Sequence, residues 1–220
     1  MYTPRFNLVD DEAEIRRMVA EARVAWLVTA GADGVPQATL LPIIWRAAPA
    51  AAGTEAGAAA HGTVIAHLAR ANRHWRAIAQ GSPALLIVTG PDAYIHPGWY
   101  ATKAETGKVV PTWNYSAVHL SGPITVHDDP EWLRAAVTEL TETHEAGRPD
   151  EWAVADAPAD YVEMQLSGIV GIEVAVERVE GKAKLSQNRS EEDRRGVVAG
   201  LEHEPFPGAD AVASAMEAGL

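Results

Sequence analysis

"VAWLVTAGADGVPQATLLPIIW", residues 24–45, reads as two strands around a tight turn. Residues 24–30 are a continuous apolar run, and residues 37–45 bring the chain back. Asp33-Gly34 supplies the positive φ that a short turn needs. Pro42 has no N–H to give a ladder, so it predicts an edge position or a bulge. Strands this close in sequence pair antiparallel, because parallel neighbours need a long crossover. The same spacing recurs, with strands expected at residues 63–69, 84–90, 92–97, 110–120, 123–128 and 169–181. In the last of these, Val170, Ile172, Val174 and Val176 alternate onto one face. Helices are expected at 10–23, 72–81, 129–147 and 190–203, with an irregular stretch up to residue 109. About seven or eight closely spaced strands, with helices between a few and at both ends, predict a mainly β fold. The expected form is a closed or partly closed antiparallel barrel with flanking α-helices.

The bulk properties narrow the classes. With no cysteine among 220 residues, disulfides and thiolate metal sites are excluded. No apolar run approaches the roughly 20 residues of a membrane span. The start, "MYTPRFNLVDDEAEIRR", lacks the apolar block of a signal peptide. These features predict a cytoplasmic protein with no membrane partner. A net charge of −12 disfavours non-specific binding to DNA. The eight histidines fall in no metal-binding spacing, so no metal is expected. Residues 47–62, "AAPAAAGTEAGAAAHG", predict a flexible Ala/Gly-rich loop insert in a single domain spanning 1–220. Residues 190–220 predict a helical C-terminal extension.

Three segments are rich in polar chemistry. "AHLARANRHWR" (66–76) runs a strand into a helix start with His67, Arg70, Asn72 and Arg73. Such a junction either binds an anion, phosphate being the natural guest, or pairs its arginines with surface acids. In "VVPTWNYSAVHLSG" (109–122), Trp113 and Tyr115 share one strand face and Thr112 and Asn114 the other. The aromatics then either fill the barrel or leave Thr112 and Asn114 to hydrogen-bond a flat heterocycle. Lys103, in "HPGWYATK", is a candidate for the same pocket. "KLSQNR" (184–189) offers Lys184, Ser186 and Gln187, as a solvated turn or as ligand donors.

Taken together, "HLARAN…W" (67–75), "HPGWYATK…VPTWNYSAVH" (96–119) and "GKAKLSQNR…DRRGVVAGL" (181–201) resemble the signature blocks of the PaiB-type family of FMN-binding negative transcriptional regulators. The start "MYTPRF" is similar too. The resemblance implies an FMN-binding split β-barrel, related in fold to pyridoxamine phosphate oxidases. It also implies a homodimer with flavin at the subunit interface. By that similarity, His67, Arg70, Asn72 and Arg73 meet the FMN phosphate, and Thr112, Trp113 and Asn114 approach the ring or ribityl chain. Lys184, Ser186 and Gln187 then close the site from the same subunit or its partner. The family usually has Pro where this chain has Arg73, and the 47–62 insert is a second departure. Two functions follow as expectations: a flavin- or redox-sensing transcriptional regulator, and a flavin-dependent oxidoreductase or flavin reductase whose cofactor carries the chemistry.

Overall fold

The computed structural model describes residues 1–31, 33–48 and 59–219. Residues 49–58, most of the expected loop insert, lie outside the described residues. In chain order the first half forms β1 (Leu8–Val9), α1 (Glu12–Ala22), β2 (Val24–Thr29), β3 (Gln37–Pro42), β4 (Ile44–Arg46), β5 (Thr63–Ala69), α2 (His74–Ala77) and β6 (Pro83–Ile95). The second half forms α3 (Ala101–Thr106), β7 (Thr112–His127), α4 (Pro130–Glu145), α5 (Ala159–Ser167), β8 (Ile169–Ala175), β9 (Arg178–Lys184), α6 (Glu191–Leu201) and α7 (Ala209–Glu217). The residues group into two compact units. The barrel unit holds Val19–Val88 and His119–Val179; the platform unit holds Met1–Met18, Thr89–Val118 and Glu180–Leu220.

In the barrel unit, β2 pairs antiparallel with β3 and β6, with Trp26 opposite Leu40 on one side and Ile87 on the other. A second set runs β4, β5, β8, β7, again antiparallel. One run of chain serves both sets. β3 pairs with β2 as far as Val24 opposite Pro42, and β4 pairs with β5 from Ile44 opposite Ile65. The predicted break falls here: Pro42 cannot donate to a ladder, and the next residue, Ile43, donates its N–H to Arg23 O at 3.0 Å. This is a split barrel. Leu27, Val64, Ala66, Leu68, Leu86, Ile124, Val170, Ile172 and Val174 are buried in its interior.

Outside the barrel, α4 and α5 pack over β5 and β8. Asp129 caps α4 by accepting from Trp132 N at 2.8 Å, and Pro130 takes the first helical position. Trp132 lies flat on the sheet because Gly171 sits beneath it; a Cβ there would be 2.0 Å from Trp132 Cζ3. The indole stacks on His127, with centroids 4.0 Å apart and planes 7° apart.

In the platform unit, β9 lies between β7 and β1, with Leu8 opposite Lys182. Helices α6 and α7 close a separate core with Ile95, Tyr100, Val197, Leu201, Val212 and Met216. Both helices fall within the expected C-terminal extension. Ser190 caps α6, accepting from Asp193 N.

Several element boundaries differ from expectation. The strands expected at 84–90 and 92–97 are one strand, β6, and those at 110–120 and 123–128 are one strand, β7. Gly, Pro and Asp inside these runs read as turns locally, yet neighbouring strands hold the chain extended. The helix expected over 72–81 shrinks to His74–Ala77. Its side chains are committed to tertiary bonds, and four residues gain little from helical bonding alone. The strand expected over 169–181 breaks after Ala175, and the stretch thought irregular contains α3.

His74 fastens the start of α2 to the barrel. It is buried, with Nε2 2.8 Å from Thr29 Oγ1 and Nδ1 2.8 Å from Thr39 Oγ1. His74→Ala leaves both hydroxyls without that partner and opens a cavity, so it should cost about 2–4 kcal/mol by denaturant titration. Burial pushes the His74 pKa down. Its contribution is therefore full above the unfolded value of about 6.5 and declines as pH falls below it, because the unfolded chain binds the proton first. The variant should show a shallower loss of stability on acidification than the wild type.

Candidate functional site

The strand β7 decides the platform unit's chemistry through its alternation. Asn114 is fully buried, whereas Trp113 is 53% exposed. The aromatics therefore do not fill the interior, contrary to one of the two expectations; the amide does. A buried amide without partners is costly, and Asn114 is well supplied. Its Nδ2 donates to Ser186 Oγ at 3.1 Å, and Ser186 Oγ donates back to Oδ1 at 3.2 Å. Met216 Sδ lies 3.3 Å from Nδ2. Ser186 itself holds φ of 63°, a left-handed conformation uncommon outside glycine. The Asn114 bonds hold that strained turn in place. Gln187 serves the same turn, accepting from Leu185 N at 2.8 Å and donating to Ala183 O at 2.6 Å.

The opposite, outward face carries aromatics and cations. Trp113 meets Tyr94 edge to face, with centroids 6.0 Å apart. Lys182 and Lys184 are two apart on β9, so both reach the same side. Lys182 Nζ donates to Tyr115 Oη at 2.6 Å and to Tyr2 O at 3.2 Å. Lys184 Nζ donates to Thr112 Oγ1 at 2.5 Å and to Trp113 O. The two ammonium groups lie 4.9 and 5.9 Å from the Tyr115 ring centroid. Burial lowers the Lys184 pKa; Tyr115 opposes the change and Lys182 adds to it. This face has exposed aromatic surface at Trp113 and Tyr94, the half-buried Lys184 ammonium, the Tyr115 hydroxyl and a second ammonium, Lys182, that is itself buried. It suits a planar heterocycle that carries carbonyls or negative charge. Lys103 lies exposed on α3, outside this hydrogen-bonded group.

The strand-to-helix segment of the barrel unit is spread out rather than focused. His67 faces the α4–α5 layer. Arg70 donates to Ser167 O at 2.8 Å, Ile169 O at 2.9 Å and Asp128. Asp128 raises the Arg70 pKa, and Arg70 lowers that of Asp128. Four of the five guanidinium N–H groups are thus engaged. Asn72 accepts from His74 N at 3.0 Å and donates to Thr39 Oγ1 at 3.4 Å. Arg73 alone of the four expected phosphate contacts is exposed, and no side-chain hydrogen bond or ion pair engages it among the described residues. In this unit a broad depression of about 600 Å³ is lined by Gly81, Pro83, Ser121, Gly122, Glu177 and Arg178. It has no aromatic wall, so the platform face is the better seat for a ring despite the depression's size.

The sequence reading missed Lys182 and Tyr94. The Lys-x-Lys spacing on a strand was a signal for the first. Tyr94 lies on the strand expected at 92–97, but its meeting with Trp113 is decided only by the fold.

A family model described as "Putative FMN-binding domain" matches residues 1–178. The chain belongs to this family. Its full-length relatives include "Protease synthase and sporulation protein PAI 2" of Bacillus subtilis, 32% identical over 99% of this chain and 97% of that protein. The fold is shared with the "FAD and Heme binding protein" of Mycobacterium smegmatis, at a TM-score of 0.57 and 17% identity over 85% of this chain and 78% of that one. It is shared equally with the flavocytochrome Anf3 of Azotobacter vinelandii, at a TM-score of 0.56 and 16% identity over 88% of this chain and 78% of that one. FMN is the cofactor of this FMN-binding protein. The residues present fit it, since exposed Trp113 and Tyr94 beside Lys184 offer what an isoalloxazine needs. No helix among the described residues is long and apolar enough to cross a membrane.

Asn114→Ala should lower stability by about 1–3 kcal/mol, because it strips the buried Ser186 hydroxyl of its partner. A denaturant midpoint shifted by that amount, with faster proteolysis around residues 184–189, is the expected result.

Proposed function

We propose that this FMN-binding protein is a flavin- or redox-sensing regulator that works as a cytoplasmic homodimer. The observation that carries the reading is the exposed Trp113–Tyr94 pair, with Lys184 donating to the Trp113 carbonyl oxygen. In a chain of net charge −12, concentrated cations on an aromatic face point to a ligand that is flat and electron-rich. Trp113 is the proposed wall for the ring, and Lys184 and Thr112 the proposed donors to its carbonyls. Asn114, Ser186 and Gln187 hold the turn that carries Lys184, so their part is positioning. Arg73, exposed and with no side-chain partner among the described residues, is the barrel unit's own proposed phosphate contact in place of Arg70. Bound FMN would supply electron and hydride exchange; these residues bind and orient it.

The homodimer is supported by Val24, Trp26 and Leu40, three exposed apolar side chains on adjacent strands of the barrel unit. A contiguous apolar surface of this kind marks an interaction site. The acidic charge supports regulation through a protein partner rather than tight direct contact with DNA.

Flavin titration tests the assignments. Trp113→Ala should weaken FMN and riboflavin alike, by about tenfold for a lost stacking contact. Arg73→Ala should weaken FMN and leave riboflavin unchanged, since only FMN offers a phosphate; equal losses reject the phosphate role. Trp26→Glu should convert a dimer to a monomer in sedimentation. Rapid substrate-dependent reduction of the bound flavin by NADH or NADPH would instead favour an oxidoreductase.

A further inference from the structure

The α4–α5 layer of the barrel unit, residues 129–167, holds ten Asp and Glu against two Arg, a net −8 of the chain's −12. Its own cations are spent, because Arg134 pairs with Glu163 and Arg148 with Glu145. Arg46 of β4 neutralises one more carboxylate, Glu139. Glu142, Asp150, Glu151, Asp156 and Asp160 are exposed, and no ion pair engages them among the described residues. Apolar surface lies among these carboxylates. Two depressions, of about 210 and 350 Å³, share Val154, Ala157 and Val162 in their linings and so adjoin. Trp152 and Tyr161 line the first, and Thr138 and Glu142, one turn apart on α4, line the second. Trp152, Tyr161 and Met164 are 48%, 50% and 58% exposed. Tyr161 and Met164 are three apart on α5, so they project side by side. Aromatic residues and Met left open to water in this way are the composition of a docking surface.

Charge selects the occupant. A second copy of the chain would set one −8 layer against another, and nucleic acid or an anionic membrane meets the same repulsion. A basic protein segment meets attraction instead. The layer is made of helices and their connector and offers no strand edge for an extended peptide to extend. A helix remains, with an apolar stripe flanked by cations. We propose that the α4–α5 layer docks a basic amphipathic helix of a partner protein. Its apolar face packs on Trp152, Tyr161 and Met164, and its Lys or Arg side chains meet the surrounding carboxylates. The proposal rests on the regulator reading for the existence of a protein partner, and it uses none of the proposed flavin contacts.

The test uses the full chain loaded with FMN, titrated calorimetrically with a helix-forming Leu/Lys peptide of about 15 residues whose leucines share one face. The comparison probes are the same composition with the leucines scattered around the helix, a lysine-only peptide, and a Leu/Glu peptide with the same apolar face. The Leu/Lys peptide should bind in the micromolar range, and each comparison probe at least about tenfold more weakly. Trp152→Ala, at a half-exposed position, should weaken the Leu/Lys peptide by about tenfold, as the loss of an aromatic anchor does. Asp156→Asn combined with Asp160→Asn should weaken it by about threefold and flatten its salt dependence. In the wild type, the peptide should also move the Trp152 indole N–H resonance, a readout that needs no variant. Equal binding by any comparison probe, unchanged binding in Trp152→Ala, or an unmoved Trp152 resonance would overturn the proposal. So would conversion of a dimer to a monomer by Trp152→Glu, which assigns the face to a second copy. Peptide binding that persists in Trp113→Ala, where flavin binding is weakened, supports the surface whatever becomes of the flavin reading. A peptide that does not bind, while Trp113→Ala still weakens FMN, overturns the surface alone.

Discussion

The split barrel rests on one run of chain, residues 37–46, that belongs to two sheets in succession. Pro42 enforces the change. It ends the ladder with β2 because it has no N–H, and the following residue turns its own N–H to Arg23. From Ile44 the run pairs with β5 instead. Had this run continued in one register, the interior residues of β5 and β8 would have lost the wall opposite them. The cost of the broken ladder is small beside the apolar surface that both sheets then bury.

Polar side chains are used inside both units to fix turns. In the barrel unit, His74 ties the start of α2 to Thr29 and Thr39. In the platform unit, Asn114 ties the left-handed turn at Ser186. Each is a buried group that would be destabilising alone and is stabilising only because its partners are placed for it. Such contacts specify one backbone conformation where apolar packing would tolerate several. The Ser186 turn follows β9, the strand that carries Lys182 and Lys184.

That face has its character from alternation and charge together. Trp113 points out because Asn114 points in, and a strand cannot bury both. The two lysines approach one tyrosine ring and a pair of hydroxyl oxygens, in a chain that is otherwise strongly acidic. A site of this composition binds through stacking and local positive charge.

The sequence by itself determined the class of the fold and the family. Hairpin spacing, Pro42 and the alternation at Val170, Ile172, Val174 and Val176 are local signals, and local physics preserves them. The three signature segments likewise carried the FMN assignment. Only the tertiary structure decided the directions of side chains. A two-residue period places Trp113 and Asn114 on opposite faces but is silent about which face meets α6 and α7. The cluster of His67, Arg70, Asn72 and Arg73 read as one site, because neighbours in sequence were assumed to be neighbours in action. The turn after β5 sends them apart: His67 to the helical layer, Arg70 to Asp128 and two carbonyls, Asn72 to Thr39, and Arg73 to solvent. Those partners lie tens of residues away along the chain, so no local pattern encodes them.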